Sequence, residues 1–210
     1  MSILREIAEA IIGGDYVRLP QLCEKALAEG KNAGEIINNA LISGMNEVGI
    51  KFKNNEFFVP EVLLAARAMQ AGLAILKPLL VEGEFKHIGK IVLGTVKGDL
   101  HDIGKNLVGM MLTGGGFEVV DIGHDVSPDK FVAAIKEHNP THVGMSALLT
   151  TTMPYMRETI KAIQQAGLRD KVKIMIGGAP VTQDYCDEIG ADGYAPDASS
   201  AVELAKKLLG

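Results

Sequence analysis

The chain has 210 residues, 47% of them hydrophobic, which is enough for one substantial core or two modest ones. Its formal charge of −5, the lack of a dense Lys/Arg block and the absence of Trp argue against a nucleic-acid-binding protein. Short apolar runs, an N-terminus without a basic-then-apolar segment, and only two cysteines (Cys23 and Cys186) favour a cytoplasmic protein with reduced thiols and no membrane partner.

Residues 1–87 show helical periodicity throughout. Apolar side chains recur every three or four residues in four stretches, and glycines separate the first three. Asp15 is a candidate N-cap for the second helix, and Pro60 suits the first turn of a long fourth helix. The pattern predicts a four-helix bundle. A linker is expected at 81–88.

Residues 88–210 alternate between strand and helix patterns. Short β-rich runs are predicted at 91–96, 117–120, 142–145, 172–176 and 193–195. Helical patterns separate or follow them at 103–113, 128–138, 152–166, 181–189 and 197–209. Five such units predict an α/β domain, with a five-stranded parallel, Rossmann-like (flavodoxin-like) sheet covered on both faces. Ligands of such sheets bind at the carboxyl ends of the strands.

Three short motifs follow three of the predicted strands. Asp99-Leu100-His101-Asp102-Ile103-Gly104 follows the first strand, Ser146-Ala147-Leu148 the third and Gly177-Gly178 the fourth. Forty-one residues separate Gly104 from Ser146, and twenty-eight separate Leu148 from Gly177. Because the strands are parallel, we expect all three motifs at one edge of one sheet.

The first motif has the chemistry of a metal-binding histidine. Imidazole nitrogen is a common metal ligand, and a ligating histidine usually donates its other ring proton to a carboxylate or carbonyl. Asp99 is close enough to His101 to accept that proton, and Ser146 is expected to hydrogen-bond Asp99. Gly104 would leave room for a bulky ligand at the start of the helix, and Gly177-Gly178 would do the same across the sheet. Asp102 is also a candidate cap for the following helix.

The three motifs, in this order and at these intervals, resemble the cobalamin-binding module of corrinoid proteins and of cobalamin-dependent methionine synthase. Residues 1–87 resemble the helical cap domain that precedes this module in methyl-transferring members, most clearly over residues 55–69. The similarity is greatest to the free-standing corrinoid proteins of methylamine, methanol and O-demethylase methyltransferase systems. It implies two domains, a cap at 1–87 and a cobalamin-binding domain at 88–210.

The resemblance also implies a role for each motif residue. His101 would be the lower axial ligand of cobalt in cobalamin or another corrinoid, with Asp99 and Ser146 as the catalytic relay behind it. Phe57, Phe58, Leu63 and Leu64 are candidates to shield the upper face of the cofactor, although each also fits a bundle core. The implied cofactor-binding residues are Gly98, Asp99, His101, Asp102, Ile103, Gly104, Ser146, Leu148, Thr150, Gly177, Gly178, Tyr194 and Ala198.

The activity implied by the resemblance is methyl transfer that requires partner enzymes. A donor-specific methyltransferase would load cobalt(I) to give methyl-cobalt(III). A second methyltransferase would then pass the methyl group to tetrahydrofolate or to a thiol such as coenzyme M. A reductive activase is a further expected partner. The linker at 81–88 would be the hinge for movement of the cap.

Two other functions share these motifs. The small subunit of a carbon-skeleton mutase has all three but normally lacks a preceding helical cap. A cobalamin-sensing regulator can have both domains, but ordinarily needs an output module. A receiver-type domain uses the same sheet, but it needs a phosphorylatable Asp after the third strand, where this chain has Ser146.

Overall fold

A computed structural model of the chain describes residues 2–80 and 85–210. Part of the predicted linker and hinge, residues 81–84, therefore lies outside the described residues. The chain divides into two compact units, one made of residues 1–87 with 114–116 and the other of residues 88–113 with 117–210.

The first unit is the predicted helical bundle. Its third helix is built from two α-helical segments joined without a break by a π-helical stretch, Ile37–Ile42. Its core consists of side chains from every helix, including the fully buried Ile11, Leu19, Ile36 and Leu76. The helical segments are α1 (Ile3–Ile12), α2 (Leu19–Ala28), α3 (Ala33–Ile36), α4 (Ser43–Lys53) and α5 (Val59–Leu76).

The second helix begins later than Asp15 predicts. Asp15 Oδ1 accepts a hydrogen bond of 3.0 Å from the Arg18 N–H and closes a turn ahead of the helix. The N-cap position belongs to Arg18, and Pro20 occupies the first helical turn, where its missing N–H removes no helix hydrogen bond. Asp15 therefore shapes the approach to α2 and does not cap it.

The last bundle helix contains a longer apolar segment than the short apolar runs expected from the sequence. The segment Val59–Leu79 is long and apolar enough to cross a membrane by length and composition alone, with a mean hydropathy of 1.4. Its buried face includes Val62, Ala65, Met69 and Leu76, and it packs against α1, α2 and α4. These contacts place the buried face of α5 in the core of the bundle.

The second unit has the predicted five-stranded parallel sheet. Its strands are β1 (Lys90–Thr95), β2 (Glu118–Asp121), β3 (His142–Ser146), β4 (Lys173–Gly177) and β5 (Gly193–Tyr194), in the spatial order β2-β1-β3-β4-β5. The strand order reverses between β1 and β3, so the ligand crevice expected of this topology lies at the carboxyl ends of those two strands. The helices are α6 (Ile103–Gly114), α7 (Pro128–His138), α8 (Pro154–Gln165), α9 (Gln183–Ile189) and α10 (Ala198–Leu209).

Side chains alternate between the two faces of this sheet. Val92, Val143 and Ile174 lie on one face, in a core shared with Phe131 of α7 and Ile160 of α8. On the other face Leu93 of β1 lies against α6 at Gly109, and Leu204 of α10 lies against Gly193 of β5. Both faces of the sheet are therefore covered, and the strand-end loops are left as the accessible edge.

Candidate functional site

The loop after β1 is fastened to the loop after β2. Gly98 has a left-handed backbone, with φ +77°, and its N–H donates to Asp125 Oδ1 at 2.7 Å. The Asp125 N–H in turn donates to the Asp99 carbonyl at 3.0 Å. Asp125 also has a left-handed backbone, with φ +52°, which Asp tolerates better than most residues. These two hydrogen bonds fix the backbone of residues 98–99, immediately ahead of His101 in the loop.

Asp99 is the centre of the site. Its side chain is fully buried, yet no lysine or arginine pairs with it among the described residues. Oδ1 accepts from the His101 backbone N–H at 3.1 Å and lies 2.7 Å from His101 Nδ1. Oδ2 accepts from the Leu148 and Leu149 backbone N–H groups at 2.8 and 3.3 Å and from the Thr152 hydroxyl at 2.7 Å. Asp99 thus ties the loop after β1 to the loop after β3.

These contacts keep Asp99 ionised. Burial raises the pKa of the carboxyl group, but hydrogen bonds from the Thr152 hydroxyl, the Leu148 N–H and His101 outweigh burial and hold the pKa well below its usual range. An ionised carboxylate only accepts hydrogen bonds, so His101 Nδ1 must carry the proton between them. In this tautomer the lone pair of the imidazole is on Nε2, the nitrogen that a metal would bind.

The His101 side chain is positioned but not covered. About half of it, 51%, is exposed, and within the described part of the chain Nε2 makes no hydrogen bond. Its backbone is also held, because the Thr95 hydroxyl donates to the His101 carbonyl at 3.0 Å. An imidazole whose Nδ1 is bound by Asp99 and whose Nε2 is accessible is suited to metal ligation.

The predicted hydrogen bond between Ser146 and Asp99 is wrong. Ser146 lies at the end of β3, beside Thr95 of β1 and Gly177 of β4, as predicted. The Asp99 carboxylate reaches past it to the loop that follows, where Leu148, Leu149 and Thr152 supply the donors. Thr152, which the sequence analysis missed, is 5% exposed and occupies the place expected for Ser146.

The three glycines predicted to line the site, Gly104, Gly177 and Gly178, differ in how much space surrounds them. A Cβ at Gly104 would meet no atom within 4 Å, so internal packing does not exclude a side chain there. A Cβ at Gly178 would lie 1.9 Å from the Ala147 carbonyl oxygen, and φ at Gly178 is +126°. A Cβ at Gly177 would lie 3.0 Å from the Ala195 carbonyl oxygen. The packing of the strand-end loops therefore requires glycine at 178 and leaves little room for a side chain at 177, whereas Gly104 faces open space.

The other predicted site residues lie around this centre or at the edge of the sheet. Thr150 is exposed, and Asp102 Oδ2 accepts from Asn106 Nδ2 at 3.2 Å. Tyr194 is half-buried in the edge strand β5, and Ala198 is buried at the start of α10, so they lie two strands away from β3. Four large apolar side chains in the two central loops are exposed, namely Leu100, Ile103, Leu148 and Leu149.

The site suits a metal that brings most of its own ligands. Among the described residues, no group of three or more His, Cys, Asp or Glu side chains could hold a metal ion. A metal on His101 would therefore need the rest of its coordination from a cofactor. The free Nε2, the open space at Gly104 and the exposed apolar side chains fit a large, largely apolar metal macrocycle.

Comparisons with known proteins agree with this geometry. The B12 binding domain family matches residues 89–203, and a second B12 binding domain family matches residues 3–77. A corrinoid protein of Desulfitobacterium hafniense is 46% identical over 100% of this chain and 99% of its own length. A dimethylamine corrinoid protein of Methanosarcina barkeri is 49% identical over 99% of this chain and 98% of its own length.

A solved structure shows the same two-part architecture. The methanol:cobalamin methyltransferase complex of Methanosarcina barkeri contains a chain that matches with a TM-score of 0.89 and 31% identity, over 99% of this chain and 79% of that chain. Fold, site and relatives define a cobalamin-binding protein of two B12 binding domains. The chain belongs to the corrinoid protein family, and its cofactor is cobalamin or another corrinoid.

Proposed function

We propose that this chain is a methyl carrier that binds a corrinoid and serves a donor-specific and an acceptor methyltransferase. The observation that carries the proposal is the Asp99–His101 pair, which presents an accessible Nε2 at the carboxyl edge of β1. When bound, the corrinoid supplies a cobalt centre able to accept and release a methyl group.

The residues of this chain would hold and tune that centre. His101 Nε2 would bind the cobalt, and Asp99 would fix the ring tautomer, because its ionised carboxylate accepts the Nδ1 proton. Gly104 would leave room for the cofactor beside the first turn of α6. Leu100, Ile103, Leu148 and Leu149 would contact the cofactor and exclude water, because these apolar side chains are exposed in the two central loops.

We assign residues 1–87 as the cap and residues 88–210 as the cobalamin-binding domain. Phe58, Leu63 and Leu64 of the first unit are exposed, at 61%, 43% and 44%, and so do not belong to the bundle core. Exposed apolar side chains of this kind suit a shield for the upper face of a corrinoid. Residues 81–88 remain the proposed hinge.

The partners follow from the class of protein. A relative is named a dimethylamine corrinoid protein, and a matching chain is part of a methanol:cobalamin methyltransferase complex. A methylated amine is the first donor to test, with tetrahydrofolate or a thiol such as coenzyme M as acceptor and a reductive activase for reactivation. Free, buried Cys23 and Cys186 support a cytoplasmic location.

The proposal is tested by reconstituting His101→Ala with a corrinoid, using His124→Ala as the matched control. His124 is exposed in the loop after β2 and has no part in the proposed site. We expect His101→Ala to fold but to lose the absorption spectrum of a histidine-ligated corrinoid, while His124→Ala retains it. An unchanged spectrum in His101→Ala would refute the ligand assignment.

The carrier role needs its own assay. Asp99→Asn should bind the corrinoid but slow methyl transfer in the presence of both methyltransferases, because an amide cannot accept every hydrogen bond that the carboxylate accepts. Full retention of the transfer rate would remove Asp99 from the relay.

A further inference from the structure

We propose that Asp102 is a specificity-determining residue, which accepts a hydrogen bond from a carboxamide of the corrinoid and selects against corrinoids with a carboxylate at that position. The inference rests on the proposed position of the cofactor beside His101. Asp102 follows His101 directly and stands two residues before Gly104, where a Cβ would meet no atom within 4 Å. Among the described residues, the half-buried Asp102 carboxylate accepts only from Asn106 Nδ2, which lies 3.2 Å from Oδ2. Its Oδ1 is therefore available to a ligand.

The ammonium group of Lys105 orients the Asn106 amide. The Lys105 side chain is 1% exposed, and its Nζ contacts Asp121 Oδ2 and donates to Asn106 Oδ1 at 2.8 Å. An ammonium group only donates hydrogen bonds, and a carboxylate only accepts them. The Asn106 oxygen must therefore face Lys105, and its Nδ2 must face Asp102.

This network is anchored at the end of β2. A buried ammonium group without a carboxylate partner is strongly unfavourable, so Lys105 is held at Asp121. Asp121 is the last residue of β2, and its Oδ1 accepts from the Gly123 N–H at 2.9 Å. The Asn106 N–H also donates to the Asp102 carbonyl at 2.7 Å, at the start of α6. Both the backbone and the side chain of Asp102 are thus fixed by neighbouring groups.

A fixed carboxylate suits one class of ligand group. Corrinoids carry primary carboxamides around the macrocycle, and the N–H groups of these amides need acceptors wherever the protein encloses them. Asp102 Oδ1 would accept such an N–H, whereas a carboxylate at the same position of the cofactor would place two like charges together. The neighbouring Leu100 and Ile103 side chains are apolar and exposed, so they offer no competing acceptor.

Corrinoids in which one carboxamide is hydrolysed to a carboxylate test the proposal. Each positional isomer is titrated at neutral pH into the wild type and into Asp102→Asn, which keeps the shape of the side chain. The readout is the dissociation constant of the isomer divided by that of the parent corrinoid. We expect one isomer to give a ratio of about 10–100 in the wild type and about 1–3 in Asp102→Asn, because asparagine can donate to the carboxylate.

Two further variants separate charge from position. Asp170 is exposed in the turn before β4, at the opposite edge of the sheet, so Asp170→Asn should keep the wild-type ratios although it loses the same charge. Asn106→Ala removes the group that holds the Asp102 side chain. Its ratio for the selected isomer should fall at least about threefold, while the absorption spectrum of histidine ligation is retained.

The proposal is overturned if the wild type binds every isomer as tightly as the parent corrinoid, if Asp102→Asn keeps the wild-type ratios, or if Asp170→Asn loses them. Unchanged ratios in Asn106→Ala would overturn the positioning of Asp102 by Asn106. A wild type that lacks the spectrum of histidine ligation would refute the proposed function instead, whereas intact ligation with equal binding of all isomers would overturn only this inference.

Discussion

Gly104→Ala should stabilise the cofactor-free protein and weaken its binding of a corrinoid. Gly104 is the second residue of α6, and a Cβ there would meet no atom within 4 Å. Replacing glycine by alanine near the start of a helix without a clash should stabilise the cofactor-free protein by about 0.5 kcal/mol. The melting temperature should rise by about 1–3 °C.

Corrinoid binding should change in the opposite direction. If the space beside Gly104 is occupied by the cofactor, the added methyl group must displace part of it or shift the helix. Overpacking of this size costs about 1–3 kcal/mol, so the dissociation constant should rise roughly 5- to 150-fold. Equilibrium titration with a corrinoid, followed by absorbance, measures this change.

A matched control lies in the same helix. Gly109 faces the sheet, where a Cβ would lie 3.3 Å from Leu93 Cδ2, so Gly109→Ala adds a methyl group away from the proposed site. We expect its corrinoid affinity to equal that of the wild type. If Gly104→Ala bound the corrinoid with wild-type affinity, the reasoning that places the cofactor against the first turn of α6 would be refuted.

Three further predictions concern residues of the second unit. Gly178→Ala should destabilise the protein by at least about 3 kcal/mol in chemical denaturation, because its Cβ would overlap the Ala147 carbonyl oxygen in a backbone that already disfavours a side chain. Asp121→Ala should lower the free energy of unfolding by about 3–5 kcal/mol, because it leaves the buried Lys105 ammonium without its carboxylate partner. Lys105→Met should lower it by less, because the Asp121 side chain that remains is 43% exposed. Equal losses of stability in the two variants would contradict this reasoning. Burial lowers the pKa of His142, so the folded protein takes up this proton at lower pH than the unfolded chain, whose His has a pKa of about 6.5. Stability should therefore fall as pH drops below about 6.5, and His142→Leu should remove this part of the pH dependence.

Asp99 contributes a pH dependence in a separate window. Its folded-state pKa lies well below the value of about 4 expected in the unfolded chain. Its contribution to stability is therefore complete above about pH 4 and is lost as pH falls through the folded-state pKa. Acid unfolding of Asp99→Asn compared with the wild type measures this term, and identical acid transitions would contradict it.

Much of the fold could be read from local patterns. The helix at Pro128–His138 was predicted at those residues because the signals at its ends are local: the Ser127 side chain accepts from the Lys130 N–H, and Asn139 ends the helix with a left-handed backbone. Helix α2 was misplaced at its start because a turn between Asp15 and Arg18 resembles a cap in sequence. The parallel sheet followed from the alternation of strands and helices, whereas the spatial order β2-β1-β3-β4-β5 was not predicted, because alternation does not specify which strands are neighbours.

The sequence predicts which edge of the sheet carries the site, but not every contact within it. Parallel topology brings the ends of β1 and β3 together, which is why Asp99, His101 and the residues after Ser146 meet. Which hydroxyl reaches Asp99 depends on the path of the loop after β3, and nothing local distinguishes Thr152 from the neighbouring Thr150 and Thr151. The role of Gly178 was hidden for a similar reason, since its contact is with a carbonyl group on another loop.

The central claim is that an imidazole nitrogen of this chain binds the cobalt of the corrinoid. Electron paramagnetic resonance of the protein loaded with a cobalt(II) corrinoid tests it directly, because the unpaired electron couples to the axial nitrogen. Labelling only the histidines with nitrogen-15 should turn each three-line splitting into two lines, and His101→Ala should abolish the effect. A three-line pattern that survives histidine labelling would show that the axial nitrogen comes from the cofactor and would contradict the account.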